Sequence, residues 1–308
     1  MKDSIQNKSE QIEACLKEVS SSKRSSSADL LALFISVILF VSLGLSKYSL
    51  ATVALLIVIL LIHELGHFIG MKFLGYRDAR MLFLPLMGAF TAGKEIEPSA
   101  VNRAFVAFLG PVPGILIGIV LWAFYFQAGD PILLTAARMF LFLNLFNLLP
   151  MHPFDGGRII EALFFARIPV LEIGSKILGV VGLVWLTMLT KMWLLWILIY
   201  WVLASILKTF PLILVAQKLK NDFSGNPILV ERNVPSVEFI QDSLVLLQSK
   251  RWFCDLKFNA QAEWIRDLWN RMRIQQPSLL MTSGLFVLYS GFLFIGMIAL
   301  IFFEKMSL

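Results

Sequence analysis

Long apolar runs separated by short polar stretches are the main feature of the chain. A helix needs about 20 apolar residues to cross the hydrocarbon core of a bilayer. Five runs have roughly that length and few or no charged residues: 30–46, 49–71, 104–126, 132–149 and 279–303. The pattern therefore predicts a transmembrane helix at each of these positions.

The apolar region 168–216 is harder to divide, because charged residues such as Glu172 and Lys191 interrupt it. Its length fits two helices, 168–190 and 192–216, that turn at Thr190-Lys191. One long tilted helix would also fit and would reverse the orientation of everything after it. We predict the two-helix hairpin, which gives about seven transmembrane helices.

The segment 78–93 is apolar too, but it is short and broken by Pro85, Gly88 and Gly93. We predict that it is re-entrant or interfacial. Irregular backbone at such a depth needs protein or enclosed water to satisfy its polar groups. An extended segment there would present a strand edge that can pair with another stretched peptide.

Composition and charge fit this picture. The 308 residues are 58% hydrophobic and 16% charged, whereas a soluble domain is typically about 25% charged. Because Lys and Arg accumulate in cytoplasmic loops, most of the 27 basic residues fall inside if the N-terminus is cytoplasmic. We therefore predict an all-α polytopic protein of the cell membrane whose net charge of +6 requires no nucleic-acid partner.

This orientation divides the chain into four parts. The predicted parts are a cytoplasmic tail (1–29), a membrane-embedded domain (30–216), a small cytoplasmic insert (217–277) and a C-terminal transmembrane helix (279–303). Within the insert, an apolar stripe that includes Trp264 and Leu268 recurs at helical spacing beside arginines. The stripe fits a helix on an anionic membrane surface or the core of a small domain equally well.

The run 49–71 contains the sequence His63-Glu64-Leu-Gly-His67. Residues four apart lie on one face of a helix, so both imidazoles can bind a single Zn²⁺. Glu64 can reach a metal-bound water without binding the metal, as in HExxH metalloproteases. Ionisable residues inside a span are costly and usually mark a functional site. Two histidines that merely pack against neighbouring helices are the alternative.

A hydrolytic zinc site usually has a third protein ligand and an open position for water. The run 132–149 ends, on the same predicted side as the first motif, in Asn147-Leu-Leu-Pro-Met-His152-Pro-Phe-Asp155-Gly156-Gly157. His152 and Asp155 are both candidates, because histidine is the commoner zinc ligand and the two glycines let the backbone turn tightly after Asp155.

Together the two motifs, HExxH and N-x-x-P-x-x-x-x-D-G, resemble those of the site-2 protease family of intramembrane zinc metalloproteases. The resemblance covers about residues 50–165. It implies one Zn²⁺ per chain on His63, His67 and Asp155, with Glu64 as the catalytic base and Asn147 helping to shape the site. His152 falls on a variable position of the pattern and is left with a supporting or substrate-facing role.

Two further segments carry the resemblance. Gly110-Pro111-Val-Pro-Gly114 resembles a Gly-Pro signature of the family, although family members often have Asn at the position of Gly114. The segment around 80–93 resembles the family's membrane-embedded hairpin, which implies that it holds substrate in extended form. Asn144 shares a helical face with Asn147 and is predicted to be a packing contact between helices.

The resemblance implies hydrolysis of peptide bonds within or next to transmembrane segments of membrane-protein substrates. The predicted partners are such a substrate and the lipid bilayer, and the oligomeric state is left open. Two alternatives use the same residues: a metal-binding membrane transporter and a catalytically inactive scaffold of the same fold.

Overall fold

The computed structural model of the chain describes residues 2–21, 41–42, 45, 48–84, 88–95, 98–165, 167–193, 195–222, 235–248 and 250–305. The first predicted span, 30–46, lies almost entirely outside them. The described chain is mainly helical and forms two compact units. We call residues 25–204 with 276–308 the membrane unit, and residues 1–24 with 205–275 the helical unit.

The membrane unit contains most of the apolar helices and the only strands among the described residues. Its elements are α2 (Leu50–Phe73), β1 (Arg77–Leu84), β2 (Gly88–Lys94), α3 (Ala100–Leu109), α4 (Pro111–Ala128), α5 (Pro131–Asn147), α6 (Asp155–Ile160), a π-helical turn (Glu161–Phe165), α7 (Pro169–Thr190) and α12 (Leu279–Lys305). Helix α8 (Leu195–Asp222) begins in this unit and ends in the helical unit.

The chain is a membrane protein with several apolar helices. Within the described residues, five stretches are long and apolar enough to cross a bilayer: Leu50–Phe73, Ala100–Ala128, Pro169–Thr190, Leu195–Lys220 and Leu279–Phe302. Helix α5 is apolar but shorter, at 17 residues. The total of seven spans stays a prediction.

The region 168–216 forms two helices, as the hairpin prediction requires. Helix α7 ends where Lys191 adopts a left-handed conformation with φ of 53°. The Lys191 N–H then donates to Thr187 O at 2.8 Å and closes the last turn. The alternative of one continuous helix is wrong.

Gly129, Asp130 and Pro131 form the turn between α4 and α5. Gly129 has φ of 66°, a left-handed conformation that glycine adopts without a steric penalty. The Asp130 carboxylate accepts a hydrogen bond from the Ile132 N–H at 2.8 Å and caps α5. Pro131 occupies the first turn, where its missing N–H costs nothing. These features return α5 alongside α4.

The two strands pair antiparallel, and both pack against α2. Thr91 lies opposite Met81, and the register is irregular between Arg77 and Arg80. The segment 78–93 is therefore a β-hairpin, whose re-entrant position in the membrane stays a prediction.

The helical unit consists of α1 (Lys2–Ser21), α9 (Val237–Leu247), α10 (Arg251–Cys254), α11 (Phe258–Arg273) and the end of α8. Apolar residues of these helices form one core. Trp264 and Leu268 of the α11 stripe are buried in it. The core interpretation of the stripe is confirmed, and the membrane-surface interpretation is wrong. The cytoplasmic location of 1–29 and 217–277 stays a prediction.

Candidate metal centre

His63, His67 and Asp155 meet in the interior of the membrane unit. Asp155 Oδ2 lies 3.0 Å from His63 Nε2 and 3.2 Å from His67 Nε2, and the two Nε2 atoms are 3.2 Å apart. All three side chains are buried. Among the described residues they form the one group of three ligand-type side chains close enough to hold a single metal ion.

Close helix packing makes room for the two rings. His63 and His67 stand one turn apart on α2, with ring planes at 83° and centroids 4.8 Å apart. A Cβ at Gly66 would come within 1.8 Å of Leu109 O, so only glycine lets α2 approach the end of α3 this closely. A Cβ at Gly110 would lie 2.3 Å from the His67 ring. Both glycines therefore contribute space to the site.

Hydrogen bonds fix the orientation of both imidazoles. His67 Nδ1 donates to Val106 O at 2.7 Å, because a carbonyl can only accept. Asn144 Nδ2 donates to Phe140 O at 2.7 Å, which turns the amide oxygen of Asn144 towards His63. His63 Nδ1 therefore donates to Asn144 Oδ1, at 2.9 Å. In neutral rings, both Nε2 lone pairs then point at Asp155.

This donor set fits zinc. Two imidazole nitrogens and one carboxylate oxygen face one another within 3.2 Å, and without a cation their lone pairs repel. Histidine nitrogen and carboxylate oxygen are zinc ligands, and three protein ligands leave a fourth position for water. Partners on the outer ring nitrogens are also typical of metal-binding histidines.

Asp155 opens α6 after a tightly folded loop. A Cβ at Gly156 would lie 2.1 Å from Leu148 O, and a Cβ at Gly157 would lie 2.5 Å from the backbone of Met151. The loop thus closes onto the first turn of α6 because both positions lack side chains. The hydroxyl of Tyr289, on α12, donates to Leu148 O at 2.6 Å and holds the end of α5.

Glu64 is buried next to the histidines on α2. Its Oε2 accepts a hydrogen bond of 2.7 Å from the hydroxyl of Thr91, which also lies 3.2 Å from Glu64 O. Thr91 is on β2, so the hairpin contacts the predicted base directly. Nothing in the sequence pairs these two residues, because the contact depends on how the hairpin packs on α2.

Asn147 and His152, the two remaining predicted site residues, form hydrogen bonds outside the group of His63, His67 and Asp155. Asn147 Nδ2 donates to Leu143 O of its own helix, and Asn144 instead meets His63. The predicted contact of Asn144 between helices is thus a hydrogen bond from α2 to α5, and its partner is one of the two histidines of the site. Gly114 leaves the space that Asn144 occupies, because a Cβ at this position would lie 2.1 Å from Asn144 Nδ2.

His152 does not join the histidines of α2. Its Nε2 donates to Glu161 Oε2 at 2.9 Å, and its Nδ1 lies 3.1 Å from the Ser175 hydroxyl oxygen. Of the two candidates for a third ligand, the structure therefore brings Asp155 to the pair. His152 lies three residues earlier, in the loop that leads into α6, and its ring faces the π-helical turn and α7.

These features define a polytopic membrane protein with a buried group of two histidines and one aspartate. Residues 51–132 match the model of Peptidase family M50, a region that includes His63, Glu64 and His67. A zinc metalloprotease of Methanocaldococcus jannaschii is 33% identical over 123 residues, which are 38% of this chain and 35% of that protein. The resemblance to the site-2 protease family predicted from the two motifs is confirmed.

Two further similarities were found. Stage IV sporulation protein FB of Bacillus subtilis is 30% identical over 132 residues, 42% of this chain and 45% of that protein. The solved structure of a site-2 protease from Methanocaldococcus jannaschii has a TM-score of 0.42 at 23% identity, covering 58% of this chain and 88% of that chain. The chain matches less than half the length of either curated relative.

Proposed function

We propose that the chain is an intramembrane zinc metalloprotease that hydrolyses peptide bonds within or next to transmembrane segments of membrane proteins. One observation carries this proposal. Inside a helix apolar enough to span a bilayer, His63 and His67 converge with Asp155, and a carboxylate adjoins the first histidine. Peptidase family M50 and the relative named a zinc metalloprotease support it.

His63, His67 and Asp155 hold the metal in this proposal. Bound zinc would supply a Lewis acid that lowers the pKa of water to about 7 and polarises the scissile carbonyl. Asn144 and Val106 keep the two rings in the tautomer whose Nε2 is free to bind. One ion per chain satisfies this donor set.

Glu64 moves the proton. Its carboxylate takes a proton from the attacking water and later delivers it to the leaving amine. Because Thr91 donates to Oε2, we assign the proton transfer to Oε1. Burial keeps the carboxylate away from bulk water, so its proton passes between reacting groups.

The hairpin holds the substrate. A transmembrane helix hides its amides in hydrogen bonds, so the segment to be cut must first unwind. A strand edge can bind the unwound peptide through backbone hydrogen bonds. The contact of Thr91 on β2 with Glu64 supports β2 as that strand. With 1–29 and 217–277 in the cytoplasm, water reaches the metal from that side.

The test is the Glu64→Gln variant. Glutamine keeps an oxygen that can accept from Thr91 but cannot take a proton, so we expect zinc content and fold to persist while turnover falls about 100- to 10,000-fold. Membranes of cells carrying Glu64→Gln should accumulate uncut single-span proteins relative to cells carrying the unaltered chain. Asp130→Asn is the control, because asparagine caps a helix equally well.

Metal removal completes the test. Stripping with a chelator should abolish cleavage, and added Zn²⁺ should restore it. His63→Ala should lose zinc in elemental analysis, whereas Glu64→Gln should retain it. Turnover by Glu64→Gln at the rate of the control would refute the proposal, and metal uptake into sealed vesicles that depends on His63 would favour a transporter instead.

A further inference from the structure

The face of β2 that lies on α2 is shaped for close approach at two positions. Side chains alternate along a strand, so Thr91 and Gly93 share a face. A Cβ at Gly93 would lie 3.0 Å from Met71 Sδ on α2 and 3.3 Å from Tyr76. Glycine at this position leaves the Met71 side chain its place against β2, and two residues earlier the Thr91 hydroxyl lies 2.7 Å from Glu64 Oε2.

A polar cluster at the base of the hairpin holds β2 at this distance. The hydroxyl of Tyr76 donates to Glu95 Oε1 at 2.6 Å. Arg103 on α3 donates to Glu95 Oε2 through Nε at 2.8 Å and Nη2 at 2.6 Å. Charge-assisted bonds of this kind are stronger and more directional than neutral ones. β2 is therefore attached to α3 at its end and to Glu64 through Thr91.

We propose that Thr91 is a positioning residue that orients the Glu64 carboxylate and ties it to the strand that binds substrate. This inference rests on the proposed function. A glutamate side chain has three rotatable bonds, and a hydrogen bond to one oxygen selects one orientation of the carboxylate. Thr91 can impose that orientation because its branched side chain has restricted rotamers and is buried.

Substrate binding and this contact are compatible. Backbone hydrogen bonds to an added strand lie in the plane of the sheet, whereas the Thr91 side chain projects from its face. In the part of the chain that the structure describes, the sheet has two strands, so each strand has one edge outside the hairpin. A peptide paired with β2 would hold that strand in place and, through Thr91, the carboxylate of Glu64. We therefore expect the contact between Thr91 and Glu64 to affect kcat rather than KM.

Two substitutions at Thr91 separate orientation from packing. Thr91→Val keeps the shape and loses the hydroxyl, whereas Thr91→Ser keeps the hydroxyl. With a single-span substrate from the Glu64→Gln comparison, in proteoliposomes, we expect Thr91→Val to lower kcat about 10- to 100-fold. KM and zinc content of Thr91→Val should stay within about threefold of wild type. Thr91→Ser should keep kcat within about threefold of wild type, because misplacing a catalytic group typically costs much more than that.

Two comparisons control for general effects on the hairpin. Tyr76→Phe removes another hydroxyl, at the base of the hairpin, but leaves the two bonds from Arg103 to Glu95 that attach β2 to α3. It should therefore lower the thermal midpoint with little change in kcat. In the Glu64→Gln background, Thr91→Val should change the residual rate by less than about twofold, because residues that act as a unit are not additive.

A double-mutant cycle tests the contact without any cleavage assay. The thermal midpoint is measured for zinc-loaded wild type, Thr91→Val, Glu64→Ala and the double variant. If the hydroxyl bonds the carboxylate, the loss caused by Thr91→Val should shrink by at least half in the Glu64→Ala background. Additive losses would overturn the inference.

The outcomes distinguish the two claims. A coupled cycle with equal kcat for Thr91→Val and Thr91→Ser would make the contact structural only and would also overturn the inference. Unchanged turnover by Glu64→Gln would remove the proposed function, and with it the positioning role, while the cycle would still report whether the contact exists.

Discussion

Replacing Gly114 with alanine should weaken zinc binding, although residue 114 touches none of the three prospective ligands. The new Cβ would lie 2.1 Å from Nδ2, 2.4 Å from Cγ and 2.6 Å from Oδ1 of Asn144. Non-bonded heavy atoms prefer about 3.5 Å or more, so the carboxamide must move by about 1 Å. Asn144 is 1% exposed and bonded on both sides, so this movement breaks its contact with His63.

The size of the effect follows from two contributions. Loss of the outer partner of a metal-binding histidine typically lowers metal affinity about 10- to 100-fold, or about 1.4 to 2.8 kcal/mol. Overpacking of a tight helix interface costs about 1–3 kcal/mol of stability in addition. Gly114→Ala should therefore show both a lower thermal midpoint and weaker zinc binding.

Gly118→Ala, one turn further along α4, is the matched control. Its Cβ would lie 2.7 Å from Leu141 Cγ and 3.2 Å from Ala137 O, so it overpacks the same interface without reaching Asn144. Zinc titration against a chelating dye, in detergent at fixed pH, should show weaker binding for Gly114→Ala alone. Equal zinc affinity for the two variants would refute the argument that Asn144 acts on the site through His63.

Two other predictions concern neighbouring groups. Asn144→Ala should weaken zinc binding about tenfold or more, whereas Asn147→Ala, which loses only a bond to Leu143 O, should leave it unchanged; equal effects in the same titration would contradict the assignment. For Glu161, burial acts to raise the pKa of the carboxyl, but the hydrogen bond with His152 and the positive charges of His152, Lys176 and Arg103 outweigh it and lower the pKa from 4.5 to about 2. A carboxyl with a depressed pKa contributes stability that is complete above the unfolded-state value and is lost as the pH falls from 4.5 towards 2. Thermal midpoints between pH 7 and pH 3 should therefore fall more steeply for wild type than for Glu161→Gln, and parallel curves would show that the ion pair contributes nothing.

The parts of the site that depend on local geometry were predictable. His63, Glu64 and His67 follow from helical spacing alone, since one turn of α2 sets their arrangement. Topology brings the second motif to the same side of the membrane as α2 but leaves both Asp155 and His152 as candidates, and only the resemblance to the site-2 protease family singles out Asp155. The π-helical turn that begins at Glu161 has no corresponding signal in the pattern of apolar residues.

The contacts that depend on packing between distant segments were not predictable. Asn144 and Asn147 share one face of α5, and only the depth of α2 and the space at Gly114 decide which of them meets His63. Thr91 reaches Glu64 because the hairpin lies on α2, which no periodicity reveals. The stripe on α11 has the same appearance whether it faces lipid or protein, and its partner α1 lies at the other end of the sequence.

The hydrogen bond from Tyr289 to Leu148 O joins two segments that are synthesised at different times. The two residues are 141 positions apart, and residues 205–275, which form most of the helical unit, emerge from the ribosome between them. A nascent polypeptide that stops before α12 already contains both histidines and Asp155, yet it lacks the hydroxyl that secures the end of α5. The end of α5 therefore gains this hydrogen bond only after α12 has been synthesised.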